Sequence, residues 1–537
     1  LYPFYKQKGL FLPVKYIINK SAVMKYLFLA SFLCIATLSF AQKKDKAAIK
    51  AAASINAGDM KKHLYIIAGK EMEGRDTPSP GLEKAANYIE TYFKSIGLKP
   101  GNKDSYRQYY TLYKDAAVQT TLGINGKMIE PNTHYQPIYT NNIAPATFNE
   151  VVFVGYGIKD IVRDDYGTTD VKGKVVLVLD GAPADYKAPV GGRGPGPAST
   201  NGKIATALSK GAAGVMVVFN NFPRKASAIN AAWRNIETRN NQPPAMAICI
   251  ATSIAETIMG EDGKDIFTKM KSGQLPAKLY NTNIAYSLTK NMETAKVSNV
   301  VGLLEGTDLK DEYVILTAHY DHVGKRNDTI IYYGADDDGS GTTAILELAE
   351  AFVKAKKAGK GPRRSIVFMT VSGEEKGLWG SEYYANNPIY PLEKTTVDLN
   401  IDMIGRIGTE YLKHKDSTKY VYIFGYDKLS SDLAPITDQV NKAYTQLVLD
   451  RKYNDPNDPN RFYYRSDHYN FAEKGVPIIF YFNGVHADYH KPTDTPDKIN
   501  YPMMAKRAQL VFHTAWIMAN KNELLKRDIK LEKPKGF

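Results

Sequence analysis

Tyr313-Val314-Ile315-Leu316-Thr317-Ala318-His319-Tyr320-Asp321-His322 passes from a run of strand-forming residues straight into imidazoles and a carboxylate. A run that is apolar at consecutive positions, not alternate ones, suits a strand buried on both faces. Similar runs return at 365–370, 397–401 and 476–481, and helical spacing fills 342–355 and 503–520. Strands alternating with helices predict a three-layer α/β/α fold around a mixed, mostly parallel sheet. In such sheets polar site residues gather beyond the C-terminal ends of strands.

Outward from this core the pattern changes. Residues 45–100 read as helical, with Ala85, Ala86, Tyr88, Ile89, Tyr92, Phe93 and Ile96 at helical spacing over 83–98. Gly97-Leu98-Lys99-Pro100-Gly101 ends that helix. Residues 148–290 carry strands at 151–157, 175–180 and 215–218 and a short helix at 204–210, and read as an inserted unit. Its loop Gly191-Gly192-Arg193-Gly194-Pro195-Gly196-Pro197 lacks the Lys-Ser/Thr of a phosphate cradle and reads as surface.

Met24-Lys25, an apolar run from Tyr26 to Phe40 and the small residues of Ser39-Phe40-Ala41 have the form of a secretory signal cleaved after Ala41. Residues 1–23 then lie upstream of the start. The expected organisation is a leader 1–41, the first part of the main domain 42–147, the insert 148–290, the rest of the main domain 291–525 and a basic tail 526–537. The protein is expected to be exported, periplasmic or extracellular, without stable membrane insertion after cleavage.

Hydrophobic content of 44% and charge of 23% suit a globular protein. The net charge of +14 is spread along the chain, with a cluster in the tail (Lys521, Lys526, Arg527, Lys530, Lys533, Lys535). A basic stripe with interleaved aromatics is missing, so no nucleic-acid partner is expected. With Cys34 in the leader, Cys249 would stand alone in the mature chain, which excludes an internal disulfide.

Five patches in one order carry the chemistry: His319-Tyr320-Asp321-His322, Asp336-Asp337-Asp338-Gly339, Glu374-Glu375, Asp402 and His490. They offer imidazole nitrogens and carboxylate oxygens and no thiolate, the donor set of a hydrolytic zinc centre and not of a closed structural one. His319 and Asp321, two apart beyond a strand, allow one to bind metal while the other supports it. One aspartate suffices to cap a helix; three in a row repel one another and favour a cation. The adjacent side chains of Glu374 and Glu375 diverge, so one can hold metal while the other faces the nucleophile.

The ordered series His319-x-Asp321, Gly334-Ala335-Asp336-Asp337-Asp338-Gly339-Ser340-Gly341, Glu374-Glu375-x-Gly377-Leu378-x-Gly380-Ser381, Asn400-x-Asp402-Met403 and Tyr489-His490-x-Pro492-x-Asp494-Thr495 resembles the co-catalytic dizinc exopeptidases of the M28 type. That family includes bacterial leucyl aminopeptidase and glutamate carboxypeptidase. The resemblance covers about 290–500, extends weakly to Glu73-Gly74-Arg75, and likens the insert to a β-rich protease-associated domain. It implies two Zn2+ ions bridged by Asp337, with His319 and Asp402 completing one site and Glu375 and His490 the other. It further implies Asp321 as the residue orienting His319, Glu374 as the general base, and Asp467 or His468 near the site. The implied activity is that of an aminopeptidase on peptide substrates. The alternative is a carboxypeptidase gripping the substrate carboxylate with Arg406 or Arg465. A single-zinc cyclotransferase, or a binding protein on an inactive enzyme fold, would need fewer ligands than this chain carries.

Overall fold

The computed structural model of the chain describes residues 44–138, 142–188, 196–223, 232–237, 245–273, 275–327 and 329–532. The leader with Met24, Cys34 and Ala41, the loop residues 191–195, and Lys533 and Lys535 of the tail lie outside the described residues. All elements named below belong to the unit Lys46–Phe537.

In chain order the main elements are α1 (Pro80–Ile96), β1 (Arg107–Ile124), β2 (Ile143–Phe153), β3 (Val175–Leu179), β4 (Gly214–Phe219), β5 (Met246–Ala251), β6 (Lys278–Leu304), β7 (Leu309–His319), α2 (Gly339–Lys357), β8 (Arg364–Val371), β9 (Thr395–Ile401), β10 (Tyr420–Phe424), β11 (Ile478–Phe482) and α3 (Tyr501–Asn520). Local chemistry sets the helix starts. Ser79 accepts the Leu82 N–H and Pro80 occupies the first turn, so α1 begins three residues before the apolar periodicity does. Asp338 caps α2 by accepting the Gly341 N–H at 2.8 Å.

The main sheet runs β10-β11-β9-β7-β8-β6, with Val448–Asp450 beside β10. Its centre is parallel (β11, β9, β7, β8), while β10 pairs antiparallel with β11 and β6 antiparallel with β8. On β8, Ile366 and Phe368 join the core with residues of α1, α2 and α3. The alternate residues Val367, Met369 and Val371 face the other layer, with Tyr384 and Phe471 from two short helices. The expected three-layer α/β/α fold is the one found.

β6 carries the sheet further. At its C-terminal end it pairs with β8, and at its N-terminal end with β2, beyond which β3, β4 and β5 follow in parallel. Residue 290, where the sequence expectation ends the insert, falls inside this strand beside a register shift between Lys290 and Met292. Leu122, Ile124 and Tyr135, which precede residue 148, pack into one core with Val175, Met216 and Ile248. Cys249 is buried in β5. Among the described residues no helix is long and apolar enough to cross a membrane.

Candidate metal centre

The five patches meet above the C-terminal ends of β7, β8 and β9. His319 is the last residue of β7, Asp402 directly follows β9, and Glu374 and Glu375 lie on the turn after β8. Asp337 stands at the entrance to α2, and His490 comes from the loop between β11 and α3. Arg75 ties two of these loops together. Its buried guanidinium donates to the carbonyls of Ile67, Tyr320, Tyr333 and Gly334, reaching both sides of the site. Gly334 is required there: its φ is +56°, and a Cβ would meet the His322 ring at 2.4 Å and the Asp337 carbonyl at 2.3 Å. Met403, beside Asp402, and His490 itself also adopt left-handed backbone, at φ 58° and 54°, conformations that non-glycine residues rarely hold without support.

Two donor groups share one carboxylate. His319, Asp337 and Asp402 form one, and His322, Asp337 and Glu375 the other, each with its donor atoms within 4.8 Å of one another. His319 Nε2 is 3.4 Å from Asp337 Oδ1 and 3.7 Å from Asp402 Oδ1. His490 Nε2 joins the second group at 3.0 Å from Asp337 Oδ2 and 3.2 Å from Glu375 Oε2. Glu374 belongs to neither; its Oε2 is 3.9 Å from His319 Nε2. The carboxylate of Asp321 accepts from Thr77 Oγ1 at 3.0 Å and from the Glu374 N–H at 3.2 Å. It stands 3.7 Å from His319 Nδ1, whereas the backbone carbonyl of Asp321 is 3.1 Å from that nitrogen. The carbonyl is therefore the nearer partner of the His319 ring, and the carboxylate fixes the Glu374 loop as well.

The three aspartates divide their work. Asp336 Oδ1 accepts the Gly405 N–H at 2.6 Å, Asp338 Oδ1 accepts those of Gly341 and Met403, and Asp337 faces the imidazoles. Only the middle residue is available to an ion; its neighbours tie the loop to β9 and cap α2.

Electrostatics fit a site built for cations. Burial lowers His319, but Glu374, Asp321, Asp337 and Asp402 outweigh it and hold the ring well above its ordinary value. Partial burial likewise opposes, and Asp337 and Glu375 overcome, so that His490 rises to about 10. Burial and Asp337 push Glu375 up, yet His322 and His490 bring it down to about 2. Burial raises Glu374 well above the usual carboxylate range. Protons on the imidazoles thus balance the carboxylates, a task divalent cations perform with better geometry. His319 Nε2, both His322 ring nitrogens, Asp337 Oδ2 and Glu375 Oε1 are buried without a hydrogen bond in line. Buried polar atoms left in that condition are costly, and a donor set of nitrogen and oxygen suits zinc.

Residues 299–515 match the model of peptidase family M28. A probable leucine aminopeptidase of Arthroderma otae is 29% identical over 221 residues, covering 40% of this chain and 56% of that protein. A probable glutamate carboxypeptidase of Arabidopsis thaliana is 37% identical over 109 residues, or 20% of this chain and 15% of that one. The chain thus spans about half the length of the fungal relative and less of the plant one. The solved aminopeptidase from Aneurinibacillus sp. strain AM-1 is similar at 20% identity over 91% of this chain and 100% of that one, with a TM-score of 0.49.

Within this matched segment the sequence reading assigned no role to two residues. His322 is fully buried and its Nδ1 lies 2.9 Å from Glu375 Oε1. Its signal was its place three residues after His319. Ser466 donates to Asp402 Oδ2 at 2.8 Å and accepts from Asn400 Nδ2 at 2.9 Å, fixing the carboxylate. Of the two neighbours expected near the site, Asp467 lies close enough to interact with His319, Asp402 and Glu374, and His468 does not contact them. Asp467 is buried behind the Glu374 loop, accepts from Ser381 Oγ, and is raised to about 7 by burial. His468 turns away, stacked on Phe480 and 2.7 Å from the Tyr463 carbonyl.

Proposed function

We propose that the chain is an aminopeptidase that works with two zinc ions, one in each donor group, and releases N-terminal residues from peptides. The observation that carries the reading is Asp337 shared between two donor groups while Glu374, beside them, joins neither. The leucine aminopeptidase relative supports the peptide-bond chemistry. His319, Asp337 and Asp402 would hold one ion, and Asp337, Glu375 and His490, with His322 alongside, the other. Ions bound there would polarise the scissile carbonyl and acidify water.

The chain's own residues do the rest. Glu374, buried and unconstrained by either donor group, accepts the proton of the attacking water and delivers it to the leaving amine. Asp321 holds the Glu374 loop through its backbone N–H, so the carboxylate meets the reacting atoms in one orientation. Of the carboxylates lining the innermost pocket, Asp337 and Asp402 would be taken up by the ions, which leaves Glu374 as the anionic group there that a substrate ammonium can meet.

Amino-acid p-nitroanilides assayed beside N-blocked peptides test the reading, together with a metal count on the purified protein. Turnover of the blocked peptides, or fewer than two ions per chain after zinc loading, would overturn it. Export rests on the stretch from Met24 to Ala41 alone, and N-terminal sequencing of the secreted form tests that proposal.

A further inference from the structure

The cleft continues past the acids. The innermost pocket, about 30 Å³, has room for little more than a water molecule. An outer chamber of about 330 Å³ adjoins it. Phe462, Arg465, Val485 and Tyr489 line both. A peptide lying across both, with its reacting end at Asp337 and Glu374, would run alongside Arg465.

Arg465 is exposed and its charge has no carboxylate partner among the described residues. Its guanidinium stands 5.0 Å over the Phe462 ring, and Nη2 donates to Tyr489 Oη at 3.3 Å. Both contacts aim the planar fork without neutralising it. The other basic residue expected to grip a carboxylate is already engaged: Arg406 Nη2 is 2.8 Å from Asp488 Oδ2, and Nη1 is 3.6 Å from Asp494 Oδ1. Lys376 and Lys498 are likewise paired, with Asp76 at 2.7 Å and Asp488 at 2.9 Å. Arginine is the side chain whose rigid fork matches a carboxylate with two parallel hydrogen bonds. The apolar walls from Phe462 and Val485 strengthen such a pair relative to open water.

We infer that Arg465 is the carboxylate-binding residue of the substrate cleft, selecting peptides that present a carboxylate within reach of the scissile bond. The inference rests on the aminopeptidase reading and narrows its substrates. Two sources share this chemistry: the free C-terminus of a short peptide, and the side chain of an N-terminal acidic residue.

Two matched pairs separate the sources on the zinc-loaded enzyme: Leu-Leu against Leu-Leu amide, and Glu against Gln p-nitroanilide. The expected result is a kcat/KM preference of about tenfold or more for the acid member of one pair, the size of a charge-assisted hydrogen bond. Arg465→Met should bring that ratio close to unity, and Arg465→Lys, which keeps the charge but loses the fork, should fall between. Turnover without a preference in either pair, or a preference that survives Arg465→Met, overturns the inference alone. An enzyme that cleaves none of the four substrates overturns the aminopeptidase reading and this inference with it.

Discussion

The two halves of the continuous sheet are made alike and behave differently. β7, β8 and β9 on one side and β3, β4 and β5 on the other are parallel and, apart from the first five residues of β7, almost wholly buried. In the half with β3, β4 and β5 a cation buried beside the strand ends, Lys203, is satisfied: its Nζ donates to the carbonyls of Leu179 and Gly181. In the main half, buried ring nitrogens of His319 and His322 and oxygens of Asp337 and Glu375 have no hydrogen bond in line. Position at a strand end is common to both halves. What marks the site is buried nitrogen and oxygen atoms that converge on one another without hydrogen-bond partners.

That contrast breaks most readily at Asp337. Asp337→Ala should remove the shared member of both groups, take bound zinc from two ions toward none, and abolish detectable turnover, whereas Asp402→Ala should spare the second group. Metal analysis of the purified variants checks this, and retention of two ions by Asp337→Ala would contradict the shared-ligand reading. Next in size, Glu374→Gln should keep both ions and lose kcat by about 10²–10⁴-fold.

Arg75 sharpens the comparison from the side of stability. Arg75→Met removes the donors of four buried carbonyls and should cost about 3 kcal/mol or more, read from urea unfolding, with weaker metal retention as the loops part. Lys203→Met strips only two carbonyls and should cost about 1–3 kcal/mol while metal content and turnover per folded molecule stay as in the parent. Lys203 adds a pH signature. Burial pulls its ammonium from 10.5 to about 8. Between those values the unfolded chain binds the extra proton, so stability rises with pH across that window; below it both states are charged and the burial cost is fully felt. The wild-type slope minus that of Lys203→Met isolates the effect.

Much of this was legible beforehand. Continuous apolar runs such as 314–318 and 366–369 announce buried parallel strands, because both faces must be covered. The expected ligands His319, Asp337, Asp402, Glu375 and His490 do converge, since each lies just beyond an element whose end faces the same side of the sheet. The burial of His322 was not legible, because a histidine three residues after another reads equally as solvated loop. The separate duties of Asp336, Asp337 and Asp338 were also hidden, as identical neighbours differ only in what their side chains meet. The length of β6 escaped notice because its middle is polar and gains its strand geometry from pairing with β1 over most of its length.

The sequence by itself determined which chemistry is available: nitrogen and oxygen donors, no thiolate, and strands that had to be buried on both faces. Only the tertiary structure decided which of those donors meet, that Arg406 is paired with Asp488 and Asp494 while Arg465 has no carboxylate partner among the described residues, and that Ser466 is the residue holding Asp402. The physical reason is range. Hydrophobic pattern and donor type are properties of a residue and its near neighbours, whereas burial, ion pairing and metal geometry depend on groups brought together from many tens of residues apart, and no local pattern encodes which pairs will form.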